Sequence, residues 1–193
     1  MDSLSGLRLY LLAGLILHKM IWEVLKRQQR LTLAEAQATP SVRVKLTRAL
    51  KMAILLGIVM QTVITDVLPI TSEPFILRTL GVLLYTLGLL MAITGRLQLG
   101  RNWSDIETAQ VLRGQTVVAH GLFRYIRHPI YVGDLLLLLG LELSLNSWLV
   151  MAVVFMIPGV LRQAVREERM LAYALPGYEA YCVHTKRFIP FIV

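Results

Sequence analysis

Residues 130–160 read almost without interruption as Ile, Val, Leu, Met, Phe, Ala and Gly, and no other stretch constrains the chain as strongly. A helix needs roughly 20 apolar residues to cross a bilayer core, so this run is too long for one span. Leu145, Asn146 and Ser147 interrupt it near its middle, which predicts a tight hairpin of two spanning helices. Further spans are expected over residues 7–25, 49–68 and 76–94. The first is the least apolar, since it holds His18 and Lys19, although Lys19 can snorkel and Trp22 suits an interface. Composition points the same way: the 193 residues are 56% hydrophobic and 17% charged, against about 25% charged in a soluble domain. A mean hydropathy of +0.63 also excludes disorder. Cys182 is the single cysteine, so no intrachain disulfide exists, and four histidines beside one thiol give no basis for a structural zinc cluster. Asp2 stands where a secretory signal would be basic and no small-residue cleavage site follows, so the first span is expected to remain as an anchor.

The chain carries 20 Lys and Arg against 12 Asp and Glu, a net charge of +8. The first connection holds Lys26, Arg27, Arg30, Arg43, Lys45, Arg48 and Lys51, whereas the second holds Asp66 and Glu73 before Arg78. The third is basic again, with Arg96, Arg101, Arg113, Arg124 and Arg127; the hairpin tip has no cation; the tail has Arg162, Arg166, Arg169, Lys186 and Arg187. Basic and non-basic connections alternate. By the positive-inside rule this predicts an all-α integral membrane protein of five transmembrane helices, its amino terminus outside and its carboxyl terminus cytoplasmic. Topology accounts for the cations, so no nucleic-acid partner is expected. Gly81, Tyr85, Gly88, Ala92 and Gly95 fall on one face of the third span, either as a packing seam or as the wall of a ligand cavity. The polar linker 31–44, with Pro40, reads as a surface loop or a short interfacial helix.

Polar, aromatic and cationic residues converge between Leu99 and Tyr131. Pro129 suits the first turn of a helix, so His128 is expected where span four leaves the cytoplasmic connection. Free amide donors at such a helix start favour a carboxylate, and Arg124 and Arg127 lie close in sequence; a structural cap is the plainer reading of His128. At the end of span five, Arg162, Arg166 and Arg169 share one helical face while Glu167 points about 100° away from Arg166. That run is either a solvated face or, for the deepest member, Arg162, a buried guanidinium paired with Glu167 or a bound carboxylate. Asp134 and Glu142 place two acids within the membrane depth, as functional groups, as partners of a neighbouring cation or, for Glu142, as an exposed residue of the hairpin tip. Tyr173, Tyr178 and Tyr181 with Lys186 and Arg187 suggest an amphipathic surface helix whose aromatics could close a cavity. Gly-x-Gly-x-x-Gly, Walker, Gly-x-Ser-x-Gly and His-Glu-x-x-His motifs are all missing. Cys182 forms no prenylation box.

Through Arg127-His-Pro-Ile-Tyr-Val-Gly133, and through Glu167-Glu168 followed by Leu175-Pro-Gly-Tyr-Glu-Ala-Tyr181, the sequence resembles the isoprenylcysteine carboxyl methyltransferase family, which is related to phospholipid N-methyltransferases. Leu99-Gly-Arg-Asn-Trp-Ser104, Gly121-Leu-Phe-Arg-Tyr125 and Arg187-Phe-Ile-Pro190 extend the match over residues 97–190. The resemblance implies a membrane enzyme that binds S-adenosylmethionine from the cytoplasm, without a Rossmann domain, and releases S-adenosylhomocysteine. It divides the chain into a three-helix transmembrane part, 1–96, and a catalytic part, 97–193, in which the hairpin, the preceding connection and the carboxyl-terminal helix form the cofactor pocket. It implies cofactor contacts from His128, Pro129, Tyr131, Leu122 and Tyr125, a wall from Asn102 and Trp103, and Glu167 as the acid nearest cofactor and acceptor. Arg162 would orient the acceptor. Two positions depart from the family pattern: Leu175-Pro176 replaces the usual Phe-Gly, and Arg166 stands where some relatives carry an acid, which bears on the acceptor's charge.

A sulfonium already activates its methyl group, so such an enzyme has to align and desolvate, and orientation at about 3–3.5 Å supplies most of the rate. The expected acceptor is lipophilic, a small molecule or a lipidated group reaching the site through the membrane lipids. A carboxylate such as a prenylcysteine-like group needs no base. An amine does, and Glu167 or Glu168 could serve if burial raised its pKa; a thiol acceptor is a further possibility. An NADPH-dependent reductase of the sterol-reductase-like type is the alternative enzyme, since it shares Arg-His-Pro-x-Tyr-x-Gly, but Ile130 and Asp134 stand where those proteins often have Asn and Glu. A non-catalytic membrane scaffold would need only the glycine stripe and the basic loops.

Overall fold

The computed structural model describes residues 3–33, 42–64, 67–103 and 114–190. Most of the 31–44 linker, Asp66, Ser104 and Arg113 lie outside the described residues. Among the described residues six α-helices follow one another: α1 (Ser3–Leu33), α2 (Val42–Val63), α3 (Phe75–Leu99), α4 (Pro129–Ser144), α5 (Val150–Ala174) and α6 (Tyr178–His184). Short 3-10 turns lie at Gly100–Asn102 and Gly121–Arg124. No strand occurs among the described residues; Ile126 and Lys186 form an isolated parallel bridge. Residues 44–63 and 75–102 form helices long and apolar enough to cross a membrane.

The chain divides into two compact units, residues 1–69 and 70–193. In the first, α1 and α2 run antiparallel: Arg8 near the start of α1 donates to the Val63 carbonyl at the end of α2, at 3.4 Å. Thr62 is buried and returns its hydroxyl to the Ile58 carbonyl at 2.7 Å, the back-bond by which a hydroxyl is tolerated inside an apolar helix. Leu9, Ile16, Leu17 and Met20 of α1 and Leu46, Leu50, Ile54 and Leu56 of α2 are exposed, as suits helices that meet lipid rather than water.

In the second unit α3 packs along α4, and the small residues explain how. A Cβ on Gly88 would overlap the Leu137 amide, one on Gly133 the Ala92 amide, and one on Gly140 the Tyr85 amide. The stripe is therefore a packing seam, with glycines on both helices and backbone against backbone. The tight helix–turn–helix forms where the sequence predicts it, although neither α4, with 16 residues, nor α5 is among the described helices long and apolar enough to cross a membrane. Helix α4 stops at Ser144, Asn146 takes a positive φ of 54°, which Asn tolerates better than most residues, and α5 begins at Val150. Asn146 ties this turn to the start of the unit: its amide donates to the Thr71 carbonyl at 2.8 Å and its side-chain oxygen accepts from the Thr71 amide at 3.2 Å. Glu142 is buried, at 5% exposure, rather than exposed at the tip.

Candidate active site

Pro129 occupies the first turn of α4, where its missing N–H costs nothing, and His128 is the residue before it. The chain entering that helix is held from the far end of the sequence. Arg127 N–H donates to the Lys186 carbonyl at 2.8 Å, His128 N–H to the Arg187 carbonyl at 3.2 Å, and Lys186 N–H to the Tyr125 carbonyl at 3.1 Å. Tyr181 Oη on α6 donates to the Phe123 carbonyl at 2.7 Å. The Arg127 guanidinium reaches the carbonyls of Cys182 and Thr185, capping the carboxyl end of α6 where the helix dipole favours a cation. Gly177, with φ of 83°, supplies the left-handed turn from α5 into α6.

These connections leave a hollow that opens to solvent. Its walls come from Leu99 to Trp103, from residues 115–118, from the α4 entry and from α5 and α6. Asn102 fixes one wall: its side-chain oxygen accepts from Thr116 N–H at 2.7 Å, and its carbonyl accepts from Gln115 Nε2 at 2.9 Å. Trp103 is backed by the Arg96 guanidinium, 4.5 Å from its ring centre. Arg96 is 1% exposed, its Nε has no partner among the described residues, and the indole face gives it a favourable contact in place of an anion. On the opposite wall Tyr131 Oη donates to Glu167 at 2.8 Å, and the His128 ring stacks on Tyr131 at 5.3 Å.

The two adjacent glutamates have different surroundings. Glu167 lines the hollow. Glu168, one residue and about 100° further round α5, is buried away from the lining and accepts from Arg127 Nε at 2.8 Å, from His128 Nε2 at 3.0 Å and from Arg187 Nε and Nη2 at 3.0 and 2.6 Å. Burial by itself would raise its pKa, but the hydrogen bonds from His128, Arg187 and Arg127 outweigh that and hold it well below the usual carboxylate range. A base with a raised pKa is the reverse of what this environment produces, so the structure makes Glu168 an anchor. Burial pushes the Tyr181 hydroxyl up to about 12 and raises that of Tyr178, so both phenols stay neutral.

Of the residues singled out in the sequence, Asn102, Trp103, His128, Pro129, Tyr131 and Glu167 line one hollow. Leu122 and Tyr125 do not. The Leu122 amide donates to Gln98 Oε1 at 2.8 Å, which fixes the 121–124 turn behind the wall, and Tyr125 is half exposed. Arg162 also stands apart: it is exposed, about 140° around α5 from Glu167, not buried against that acid. Sequence reasoning missed Gln115, Thr116, Phe123 and Leu171 as lining residues, and Arg127 and Arg187 as the cations that fix Glu168. The Arg127 and Arg187 motifs were visible, but only the fold shows that both end on one carboxylate.

Residues 76–176, from α3 through the end of α5, match the family model described as phospholipid methyltransferase, a family that includes the isoprenylcysteine carboxyl methyltransferases. Among curated proteins the chain is similar to the cobalt-zinc-cadmium resistance protein CzcN of Cupriavidus metallidurans, 35% identical over 116 residues, 56% of this chain and 50% of that protein. The chain thus spans about half the length of the curated relative it matches. The matched family segment takes in the glycine seam, the Asn102 wall, the α4 entry and Glu167, and by it the chain belongs to the phospholipid methyltransferase family.

Proposed function

We propose that the protein transfers a methyl group from S-adenosylmethionine to a lipophilic acceptor at the cytoplasmic face of a membrane that it crosses five times, amino terminus outside. The observation that carries this reading is the hollow itself: largely inside the family match, an acid and several aromatic faces surround one space that opens to solvent. A sulfonium cation is favoured beside Glu167 and against the faces of Trp103, Tyr131 and Tyr178, so these residues fit the donor. Asn102, Trp103, His128, Pro129, Tyr131 and Glu167 would hold it, all within the part 97–193. When bound, the donor supplies an activated methyl group and a good leaving group.

The protein's own contribution is alignment and exclusion of water. Tyr131 fixes the Glu167 carboxylate, the His128 and Tyr131 rings stack, and the turn at 121–124 closes the base of the site. The alternating charge of the connections supports the orientation, and a site at the helix ends would meet water on one side and lipid on the other.

For the acceptor, two chemistries have support. A carboxylate such as a prenylcysteine-like group rests on Arg162, which matches an arginine of the resembled family. A phospholipid amine is favoured by the family description and by the exposure of Arg162 outside the lining. Transfer of labelled methyl from S-adenosylmethionine to a panel of prenylcysteine, phosphatidylethanolamine, small thiols and fatty acids decides between them. Arg162→Ala should impair acceptor use more than cofactor binding if the carboxylate reading holds; equal loss of both removes it. Purified protein that gives no heat on titration with S-adenosylhomocysteine rejects the donor assignment altogether.

A further inference from the structure

The α4 entry holds a buried imidazole whose two nitrogens have unlike surroundings. His128 is 6% exposed, with its ring between Tyr131 and Phe188, centroids at 5.3 and 5.5 Å. Nε2 lies 3.0 Å from Glu168 Oε1. Nδ1 takes no hydrogen bond from any described residue and lies 4.0 Å from Glu167 Oε2, beyond hydrogen-bond reach, on the side where both residues line the hollow.

We infer that Glu168 fixes the tautomer of His128, so that Nε2 carries the proton and Nδ1 is the proton acceptor of the hollow. An ionised carboxylate only accepts hydrogen bonds. With Arg127 and Arg187 both on Glu168, the nitrogen facing it must be the donor. The arrangement is a carboxylate orienting an imidazole whose other nitrogen faces the reacting groups, a division of labour that recurs on unrelated folds. The charged groups around the ring are Glu167 and Glu168 from α5, Arg127 beside it and Arg187 from the tail, with the Tyr131 hydroxyl on Glu167 and the Tyr178 and Tyr181 phenols on the facing wall. With the imidazole neutral, two cations and two carboxylates cancel, so the resting cluster does not need a second ring proton.

This inference rests on the methyltransferase reading and deepens it: a carboxylate acceptor would leave Nδ1 without a task, whereas a nucleophile that must first lose a proton needs it. The step is a proton transfer. The N–H bond of an acceptor ammonium would break, its proton ending on Nδ1 and its electron pair staying on nitrogen; that pair would form the new N–C bond as the methyl–sulfur bond broke, the sulfur keeping the electrons of that bond and leaving as the neutral thioether. Glu168 then acts as a positioning residue, while His128 meets the reacting atoms.

The test is nitrogen NMR of ¹⁵N-histidine protein in lipid nanodiscs, with His128 assigned by the signal lost in His128→Gln. The expected result at about pH 8 is a protonated Nε2 and a lone pair on Nδ1. The Nδ1 resonance should move when an amine acceptor is added together with S-adenosylhomocysteine. Glu168→Gln should populate the opposite tautomer and lower kcat at least about tenfold, with a smaller change in the KM for S-adenosylmethionine. An Nδ1-protonated tautomer in the wild type, or both nitrogens protonated from about pH 6 to about pH 9, overturns the inference without any variant having to fold. An Nδ1 resonance that an amine acceptor leaves unmoved overturns the proton-acceptor role alone. Wild-type protein that binds no S-adenosylhomocysteine overturns the methyltransferase reading, and this inference falls with it.

Discussion

The two ends of α4 are both polar and both buried, yet only one is built to receive a ligand. At the hairpin end, Asn146 spends its side-chain amide on the backbone of Thr71, Ser147 N–H donates to the Glu142 carbonyl at 2.9 Å, and the Ser147 hydroxyl accepts from the Leu149 amide at 3.2 Å. Here backbone meets side chain, locally at Ser147 and across to Thr71 at Asn146, and among the described residues no hollow is left between them. At the entry end, side chains meet side chains brought from three separate segments, around Arg127, Glu167 and Arg187, and the groups that cannot pack flush leave a hollow. Buried polarity by itself does not mark a site. Polarity supplied from distant segments around an unfilled space does.

Several substitutions would break or sharpen this contrast. The largest effect is expected on the seam one turn before the hairpin end, where Gly140→Leu would drive a side chain into the Tyr85 backbone. Overpacking costs about 1–3 kcal/mol where side chains can yield, and here backbone is met, so loss of folded protein on size exclusion is the expected outcome. Stable, monodisperse Gly140→Leu protein would show that the seam is looser than described. At the entry end, Glu168→Ala strands Arg127 and Arg187. Breaking a buried pair costs about 3–5 kcal/mol, and the 35% exposure of the Arg187 side chain moves the expectation to the lower part of that range. The same carboxyl gives a pH dependence. Its folded pKa lies below the ordinary 4.5, so its contribution is complete above that pH and is lost as pH falls through the folded value. Wild-type Tm should be level from neutral pH down to about 5 and decline below, with a shallower decline in Glu168→Gln; parallel declines would remove Glu168 as the cause.

Smaller and more local effects separate binding from stability. His128→Ala and Glu167→Ala should each weaken S-adenosylhomocysteine binding or turnover at least about tenfold, or roughly 1.4 kcal/mol, as read by calorimetry. Asn146→Ala should cost about 1–2 kcal/mol of stability through its lost hydrogen bonds and leave cofactor affinity as it was. If Asn146→Ala impaired binding as much as Glu167→Ala, the two ends would not be independent.

The sequence shows the hairpin end more fully than the entry end, for a physical reason. A break of Asn and Ser in an apolar run, a proline after His128 and glycines at steps of three and four are local signals, and each sets local geometry: the turn at Asn146, the start of α4 and the seam with α3. The contributions of Asn102, Trp103, His128, Tyr131 and Glu167 to one hollow could be anticipated because their motifs stand together in a family pattern. The separate surroundings of Glu167 and Glu168 could not, since neighbours on a helix differ by about 100° and only the packing of α5 says which of them meets Arg187. The wall at 115–118 was equally hidden. It has no periodicity, and it is placed by hydrogen bonds to Asn102 rather than by an apolar face of its own.

The Glu168 cluster also bears on how the protein is made. Its first partners, Arg127 and His128, lie some 40 positions earlier in the chain, and its last, Arg187, lies 19 later. During synthesis α4 and α5 can therefore pair while Glu168 still lacks one of its two guanidinium partners, and the hollow cannot set until the ribosome has delivered Arg187. A nascent chain halted before that residue would carry all six described helices yet leave the acid only partly neutralised, a defect that a quality-control protease could recognise although the helices themselves had formed.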